Sequence, residues 1–292
     1  DRVEDAISLL LGVPAGSTAD PDSVYGRVAP FATYGGPLFD DQDAEQALYQ
    51  AALHLGGELK VGAIEYRLRT ASSTDKPTKT LYETFSKTIS DDPDENMKAI
   101  RSKQRNIIRK GIKAGLEGRA SDLETFYEVY SESVRNLGTP VFPKQLFKGI
   151  KAAFGNEVEF FTAFSGPTAI SSAMLFYFRN EVCPYYWGGV FAARKVAGND
   201  FLCWEIINRA AQRGCTIFDF GRSKVDTGAH KWKQNLGFEA TPLAYEYDLV
   251  ADETIPEVNP NNPKYRYMIE TWKRLPLPLS RVLGPIVSKH LG

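Results

Sequence analysis

The sequence predicts a mixed α/β protein, and three observations carry that expectation. Three strand-like runs follow one another between residues 157 and 191. A helical run stopping at Gly214 leads away from the last of them. A short helix ending in Gly-Phe then precedes an alternating strand, so the second half reads ααβββαβαβ.

Composition sets the limits. At 292 residues, 43% hydrophobic and 24% charged, the chain can bury a full core in one large or two modest domains. Thirty-five Lys and Arg against 36 Asp and Glu leave a net charge of −1, so any contact with nucleic acid or an anionic membrane must come from a local patch. Cys183, Cys203 and Cys215 are odd in number and lack CxxC spacing, which excludes a disulfide framework and a cysteine zinc site. No apolar run approaches the roughly 18 residues of a spanning helix. Asp1, Glu4 and Asp5 stand where a secretory signal would be basic, and the cysteine usage leads to the expectation of a reducing cytoplasm.

The elements follow from period and punctuation. "AISLLLGV" is short enough for a core strand, "AEQALYQAALHLG" is a helix with a glycine stop at Gly56, and "VGAIEYRLR" alternates as a strand. "DDPDENMKAIRSKQRNIIRKGIKAGL" opens with acids and a proline and turns basic, as one solvated connecting helix does. Ser121 with Glu124 predicts a capping box before the helix "SDLETFYEVYSESVRNLG", and "PKQLFKGIKAAFG" is the next helix. The strands "EVEFFTAF", "TAISSAMLFYF" and "CPYYWGGVF" follow, the first two joined at "SGP". Then come the helix "GNDFLCWEIINRAAQRG", the buried strand "CTIFDF", the helix "AHKWKQNLGF" and the strand "LAYEYDLV".

That order is the layout of a GNAT acyltransferase core. More specifically, "RNIIRKGIKAGL", "YYWGGVFAARKVAGNDFLCWEI", "GCTIFDFGRSKVDTGAHKWKQNLGFE" and "NPNNPKYRYMIETWKRLPLPLSRVLGP" resemble the FemAB-related proteins of the PEP-CTERM/exosortase-associated group, in the Fem/GNAT-like acyltransferase superfamily. The resemblance covers residues 34–292. It implies an α/β fold with a GNAT-like acyltransferase core and a second, degenerate or incomplete GNAT-like N-terminal unit. The domains expected are residues 1–95 for that N-terminal unit, 96–250 for the acyltransferase domain, and 251–292 for a basic, proline-containing tail packed on the core.

Candidate site residues cluster in two stretches. In a mostly parallel α/β layer, ligands sit beyond the carboxyl ends of the strands. Asp219, Arg222, Ser223 and Lys224 lie at such an end, with Phe218 and Phe220 on the face opposite Asp219. They read either as lining of the transfer site or as an Asp219–Arg222 pair that fixes the loop. Gly221 and Gly228 are expected to supply positive φ, or to be ordinary loop glycines. The second stretch is "ARKVAGND", where Arg194, Lys195, Gly198 and Asn199 precede and open a helix whose amide groups could meet a pyrophosphate. It supplies one glycine where the usual acyl-CoA loop has two. The plain alternative is a helix cap by Asn199 or Asp200.

Tyr185 and Tyr186 are expected on opposite faces of their strand, one in the core and one lining the cleft, so Tyr186 joins the catalytic candidates. Glu205 is either a buried carboxylate or a partner in a salt bridge at the helix edge. His230 reads as a proton shuttle or, more simply, as a solvated side chain on a basic helix. Arg101, Lys103, Arg105, Arg109, Lys110, Lys113 and Arg119 form a solvated helix face or a track for tRNA phosphates. The tail mixes Trp272, leucines and basic residues as interfacial segments do, or docks on the protein's own core.

No local Ser–His–Asp or Cys–His motif is present, which suits direct transfer to an amine. The expected function is acyl or aminoacyl transfer to an amine, or a hydroxyl, of a cell-envelope or exopolysaccharide precursor. Acyl-CoA or aminoacyl-tRNA serves as co-substrate, with no tightly bound cofactor and no metal implied. The expected location is cytoplasmic with peripheral contact to the inner membrane. A catalytically silent GNAT-like binding protein for a glycan or peptide is the alternative, and a nucleic-acid-binding module using the basic run is a second.

Overall fold

The computed structural model describes residues 26–27, 33–72, 75–256 and 263–288. The strand expected at "AISLLLGV" lies outside them. After the short strand β1 (Gly26–Arg27), helix α1 (Gln42–Glu58) starts at Asp41, whose Oδ1 accepts from the Ala44 amide at 2.8 Å. It runs on through Gly56, the expected stop, because the helix presses on its sheet there: a Cβ would come 2.8 Å from Ile64 Cδ1. Strands β2 (Ala63–Leu68), β3 (Thr78–Lys79) and β4 (Tyr82–Thr88) follow.

The single connecting helix expected over 91–116 is two helices, α2 (Pro93–Ala99) and α3 (Ser102–Lys113). The break is Ile100, extended at φ −82° and ψ 141°, whose side chain turns into the core. Strand β5 (Leu116–Ser121) leads into α4 (Leu123–Leu137). The cap of α4 is Asp122, whose Oδ1 accepts from the Thr125 amide at 2.8 Å, and not Ser121, which ends β5 and places its Oγ 2.8 Å from Thr162 Oγ1. Next come α5 (Lys144–Phe154), β6 (Val158–Ser165), β7 (Thr168–Phe178), β8 (Glu181–Gly189), the short α6 (Phe191–Lys195) and α7 (Gly198–Gln212). The chain continues as β9 (Ile217–Lys224), α8 (Gly228–Asn235), β10 (Glu239–Pro242), β11 (Ala244–Leu249), α9 (Pro263–Lys273) and α10 (Leu277–Ser288).

Two compact units share the chain. The first takes Asp1–Thr84, Arg222–Val225 and Thr241–Asn259; the second takes Phe85–Gly221, Asp226–Ala240 and Pro260–Gly292. In the first, a four-stranded sheet has the order β1-β2-β11-β3, with β11 antiparallel to β2 from Ala244↔Leu68 to Leu249↔Ala63. Tyr49 and Ala52 of α1 cover one face of it with Ile64 and Tyr66. The strand "LAYEYDLV", expected to close the core of the second half, therefore belongs to this other sheet.

The seven-stranded sheet, whose strands β5 to β8 lie wholly in the second unit, has the order β10-β4-β9-β8-β7-β6-β5. Strands β5 to β8 are antiparallel neighbours, while β8 and β9 run parallel. Helix α7 lies over β5 to β8, and α4 and α5 pack against the same strands with a separate cluster of their own. The two clusters explain the strand sequences: residues alternate to opposite faces, and both faces are apolar because both are covered. Helices α9 and α10 pack on α4.

Candidate functional site

The parallel pair β8 and β9 is in register for Glu181↔Ile217 and Val182↔Phe218, at the start of each strand. Beyond those pairs no residue of β8 is in register with β9 among the described residues. A wedge between two parallel strands, open toward their carboxyl ends, is where α/β layers bind. Its α7 side carries Trp187, Phe220 and Trp232, with ring centroids 5.3 to 5.9 Å apart.

Helix α7 begins at the end of β8. A Cβ on Gly189 would lie 2.3 Å from Asn199 Oδ1, and one on Gly188 would lie 2.9 Å from the Tyr130 Cα, so this glycine pair lets α7 and α4 close on the strand end. Asn199 Oδ1 accepts from Ser171 Oγ at 2.6 Å and Trp187 Nε1 at 3.4 Å. Asp200 Oδ1 accepts from Trp232 Nε1 at 2.7 Å and from Gln104 Nε2, and burial raises its carboxyl above the usual range. Neither residue caps the helix, contrary to the plain expectation: the cap position is Ala197, left-handed at φ 58°, with no side-chain cap bond. The cap residue thus puts no side-chain oxygen over the first amides of α7, although the Asp200 carboxylate accepts from its own amide. Gly198 is small for packing, since a Cβ would meet Ile170 and Ala193 at 2.9 to 3.0 Å. Arg194 and Lys195 are exposed on α6, Arg194 over the Phe191 ring.

The stretch after Phe218 divides. Asp219 is 2% exposed and its Oδ1 accepts from the Gly221 amide at 2.7 Å. Gly221 has φ 61°, the positive value expected of it. Gly228 has none: it opens α8 with open space around it. Opposite this turn stands a residue that the sequence reading missed. Lys233 of α8 is 5% exposed, and its Nζ donates to the carbonyls of Phe220 at 2.8 Å and Gly221 at 3.1 Å. Burial lowers its pKa to about 8, opposed chiefly by the charge of Asp219. A second buried lysine, Lys87 of β4, is also depressed by burial. The signal for Lys233 was the spacing His230, Lys233, Leu236, the buried stripe of α8.

His230 is accordingly buried, its ring edge-to-face with Phe85 at 5.1 Å, and is not the solvated residue expected. Tyr186 packs among Tyr130, Phe142 and Phe147, and burial pushes its hydroxyl well above the ordinary tyrosine value. Tyr185 does not take the opposite face: a bulge beside Met174/Leu175 turns it onto Tyr186, with ring centroids 5.1 Å apart. Lys224 is exposed. Glu205 is partly buried with its carboxyl raised by that burial, and the Asn208 side chain opposes the shift.

Arg222 belongs to the first unit. There a cavity of ≈ 220 Å³ is lined by Glu65, Arg67, Lys79, Arg222 and three tyrosines among others. Arg67 Nε donates to Glu65 Oε1 at 2.5 Å, Arg222 Nη1 to the Tyr245 hydroxyl, and the Arg222 guanidinium lies 4.6 Å from the Tyr82 ring centroid. Three cations against one carboxylate make this an anion-favouring cavity.

Residues 96–234 match the acetyltransferase (GNAT) domain family. A crystal structure of FemX is similar over 79% of this chain and 82% of its own, at 15% identity and TM-score 0.56. The structure of L-PGS from Bacillus licheniformis is similar over 83% and 79%, at 11% identity and TM-score 0.54. The C-terminal domain (DUF2156) of a putative lysylphosphatidylglycerol synthetase from Agrobacterium fabrum is similar over 70% and 74%, at 11% identity and TM-score 0.53. No curated protein matches the chain. The fold is thus α/β with a GNAT-like domain and a FemX-like architecture.

Proposed function

We propose that this protein is an acyltransferase that moves an acyl or aminoacyl group directly onto an amine. The observation that carries the reading is the parting of β8 from β9 after Val182↔Phe218, beside the uncapped N-terminus of α7, within a GNAT-like domain. An extended, amide-containing donor arm fits the open edge of β8 by strand addition, and a pyrophosphate fits the first amides of α7. Arg194 and Lys195 supply charge nearby in sequence. GNAT domains use acyl-CoA, which makes it the preferred donor; aminoacyl-tRNA is the other.

In the step proposed, the amine nitrogen attacks the thioester carbon, the C–N bond forms, and the C–S bond breaks. The proton lost by the amine passes to the departing sulfur. With an aminoacyl ester the leaving atom is oxygen and the bookkeeping is the same. The oxyanion formed on the way needs N–H or cationic donors, for which the amides of β9 around Gly221 are the candidates. Asp219 and Lys233 hold that segment and act as positioning residues. Tyr186, inside an aromatic cluster, contributes shape to the strand that carries the donor, and Lys224 remains an exposed candidate for contact with substrate.

The acceptor we assign is an amine of a cell-envelope or exopolysaccharide precursor. Its support is the resemblance to FemAB-related proteins of the PEP-CTERM group and the cationic cavity with Arg67, Lys79 and Arg222, suited to an anionic part of such a precursor. The first unit is read as the degenerate GNAT-like unit. A second reading, a catalytically silent binding protein, draws on the burial of Asp219 and Tyr186 in structural contacts. Incubation of the purified protein with acetyl-CoA and amine-bearing glycan acceptors decides between them: acyl transfer above the uncatalysed rate supports the enzyme, and its absence with both donor classes supports the binder.

A further inference from the structure

Helix α10 is turned inside out relative to an ordinary surface helix. A helix on a globular protein buries its apolar stripe. Here the buried positions are Ser280, Gly284 and Ser288, spaced four apart, and a Cβ on Gly284 would lie 2.9 Å from the backbone of Val141. The opposite face presents Leu279 at 43%, Val282 at 65% and Ile286 at 56% exposure. At 100° per residue these three fall within one narrow stripe. The small residues bring the helix close to its own protein, and the apolar side chains are left facing outward.

Charge says what covers that face. From Pro263 to Gly292 the sequence has six Lys and Arg against Glu270 alone, in a chain whose net charge is −1. Glu270 is held by Lys273 at 2.7 Å, and Arg274 is exposed. A second copy of the chain would bring together two segments of net positive charge, which disfavours self-association. A negatively charged surface with an apolar layer beneath it satisfies both features. At 12 residues the helix is about 18 Å long, and among the described residues no helix is long and apolar enough to cross a membrane. It can lie on a bilayer.

We propose that α10 docks this protein on an anionic lipid surface, flat in the headgroup region with Leu279, Val282 and Ile286 inserted. The inference does not depend on the acyl-transfer reading. The test is co-sedimentation of the full chain with vesicles of phosphatidylcholine alone and of phosphatidylcholine with about a third phosphatidylglycerol. Binding is expected to the anionic vesicles and to fall as salt is raised. The double change Val282→Gln and Ile286→Gln, at exposed positions and with folding checked by the melting temperature, should reduce it at least about tenfold. Arg274→Gln should reduce it by about fivefold. Failure of the parent protein to bind anionic vesicles overturns the proposal, as does equal binding to pure phosphatidylcholine or equal binding by the double variant. Sedimentation equilibrium guards the other occupant: a dimer abolished by the same two changes would make the face an interface between copies and would also overturn it.

Discussion

The ammonium of Lys233 donates to the carbonyl oxygens of Phe220 and Gly221, at 2.8 and 3.1 Å, from the buried face of a helix that otherwise looks basic and solvated. Those carbonyls belong to the segment of β9 where Gly221 stands at φ 61°, so the lysine holds in place the strand segment that borders the wedge. With its pKa lowered to about 8, Lys233 is charged at neutral pH and loses its charge as pH rises through that value. Activity that needs this strand segment held should therefore show a descending limb near pH 8. Lys233→Arg, which stays charged, should remove the limb, and Lys233→Met should lower kcat at every pH. The unfolded chain keeps this proton toward the ordinary value of 10.5, so between about 8 and 10.5 the group makes stability rise with pH. Denaturant titrations of the parent and Lys233→Met at pH 7 and 9.5 check that sign.

Asp219 raises the pKa of Lys233 against the effect of burial. Asp219→Asn keeps an oxygen to accept from the Gly221 amide and removes the charge. The folded state should persist, and the descending limb should move to lower pH. A limb that stays where it was would remove Asp219 from this pair.

Arg222→Ala should act on the acceptor and leave the donor alone. The guanidinium lines the first unit's cavity and stacks on Tyr82 at 4.6 Å. A lost hydrogen bond to a charged group costs about 1.5 to 3 kcal/mol, so acceptor KM should rise on the order of tenfold or more. Unchanged kinetics for an anionic acceptor would count against the cavity as its site.

The exposed basic track separates the donor classes. Lys103, Arg109 and Lys113 are solvated, whereas Arg105 is half-buried and donates to the Lys98 carbonyl at 3.3 Å. Replacing the three exposed residues by Gln should leave an acyl-CoA reaction nearly unchanged, because exposed charges more than about 10 Å away are screened at 0.1 M salt. With a tRNA donor it should flatten the slope of log K against log salt by roughly one unit per lost phosphate contact. Binding isotherms across a salt series give the answer.

Much of this fold was legible because both faces of β6, β7 and β8 are covered, which makes those strands long and apolar between clear turns. The edge strand Leu116–Ser121 was not, since "LEGRAS" buries little more than Leu116 and carries no apolar period. Strand Tyr82–Thr88 hid for a different reason: its buried positions include Thr84 and Lys87, which read as polar. Proline disfavours a helix interior, so the proline-containing tail gave no helix signal, yet Pro285 sits inside α10. At the site, the sequence located the stretch Asp219 to Lys224, which lies inside β9 and not beyond its end, but could not divide it, because whether a charged residue faces a neighbouring carbonyl or a cavity depends on long-range packing. The same holds for Lys233, brought from 12 residues away in sequence to the Gly221 carbonyl.

Direct acyl transfer by this protein requires the donor to lie in the wedge against the start of α7. Titrating the isotopically labelled protein with coenzyme A while following backbone amide resonances tests this directly. The amides of Gly198, Asn199 and Asp200 should shift in a saturable way together with those of β8 beyond Val182, and Arg194→Ala should weaken the binding. Saturable binding that leaves these amides unmoved, or no binding of coenzyme A at all, would contradict it.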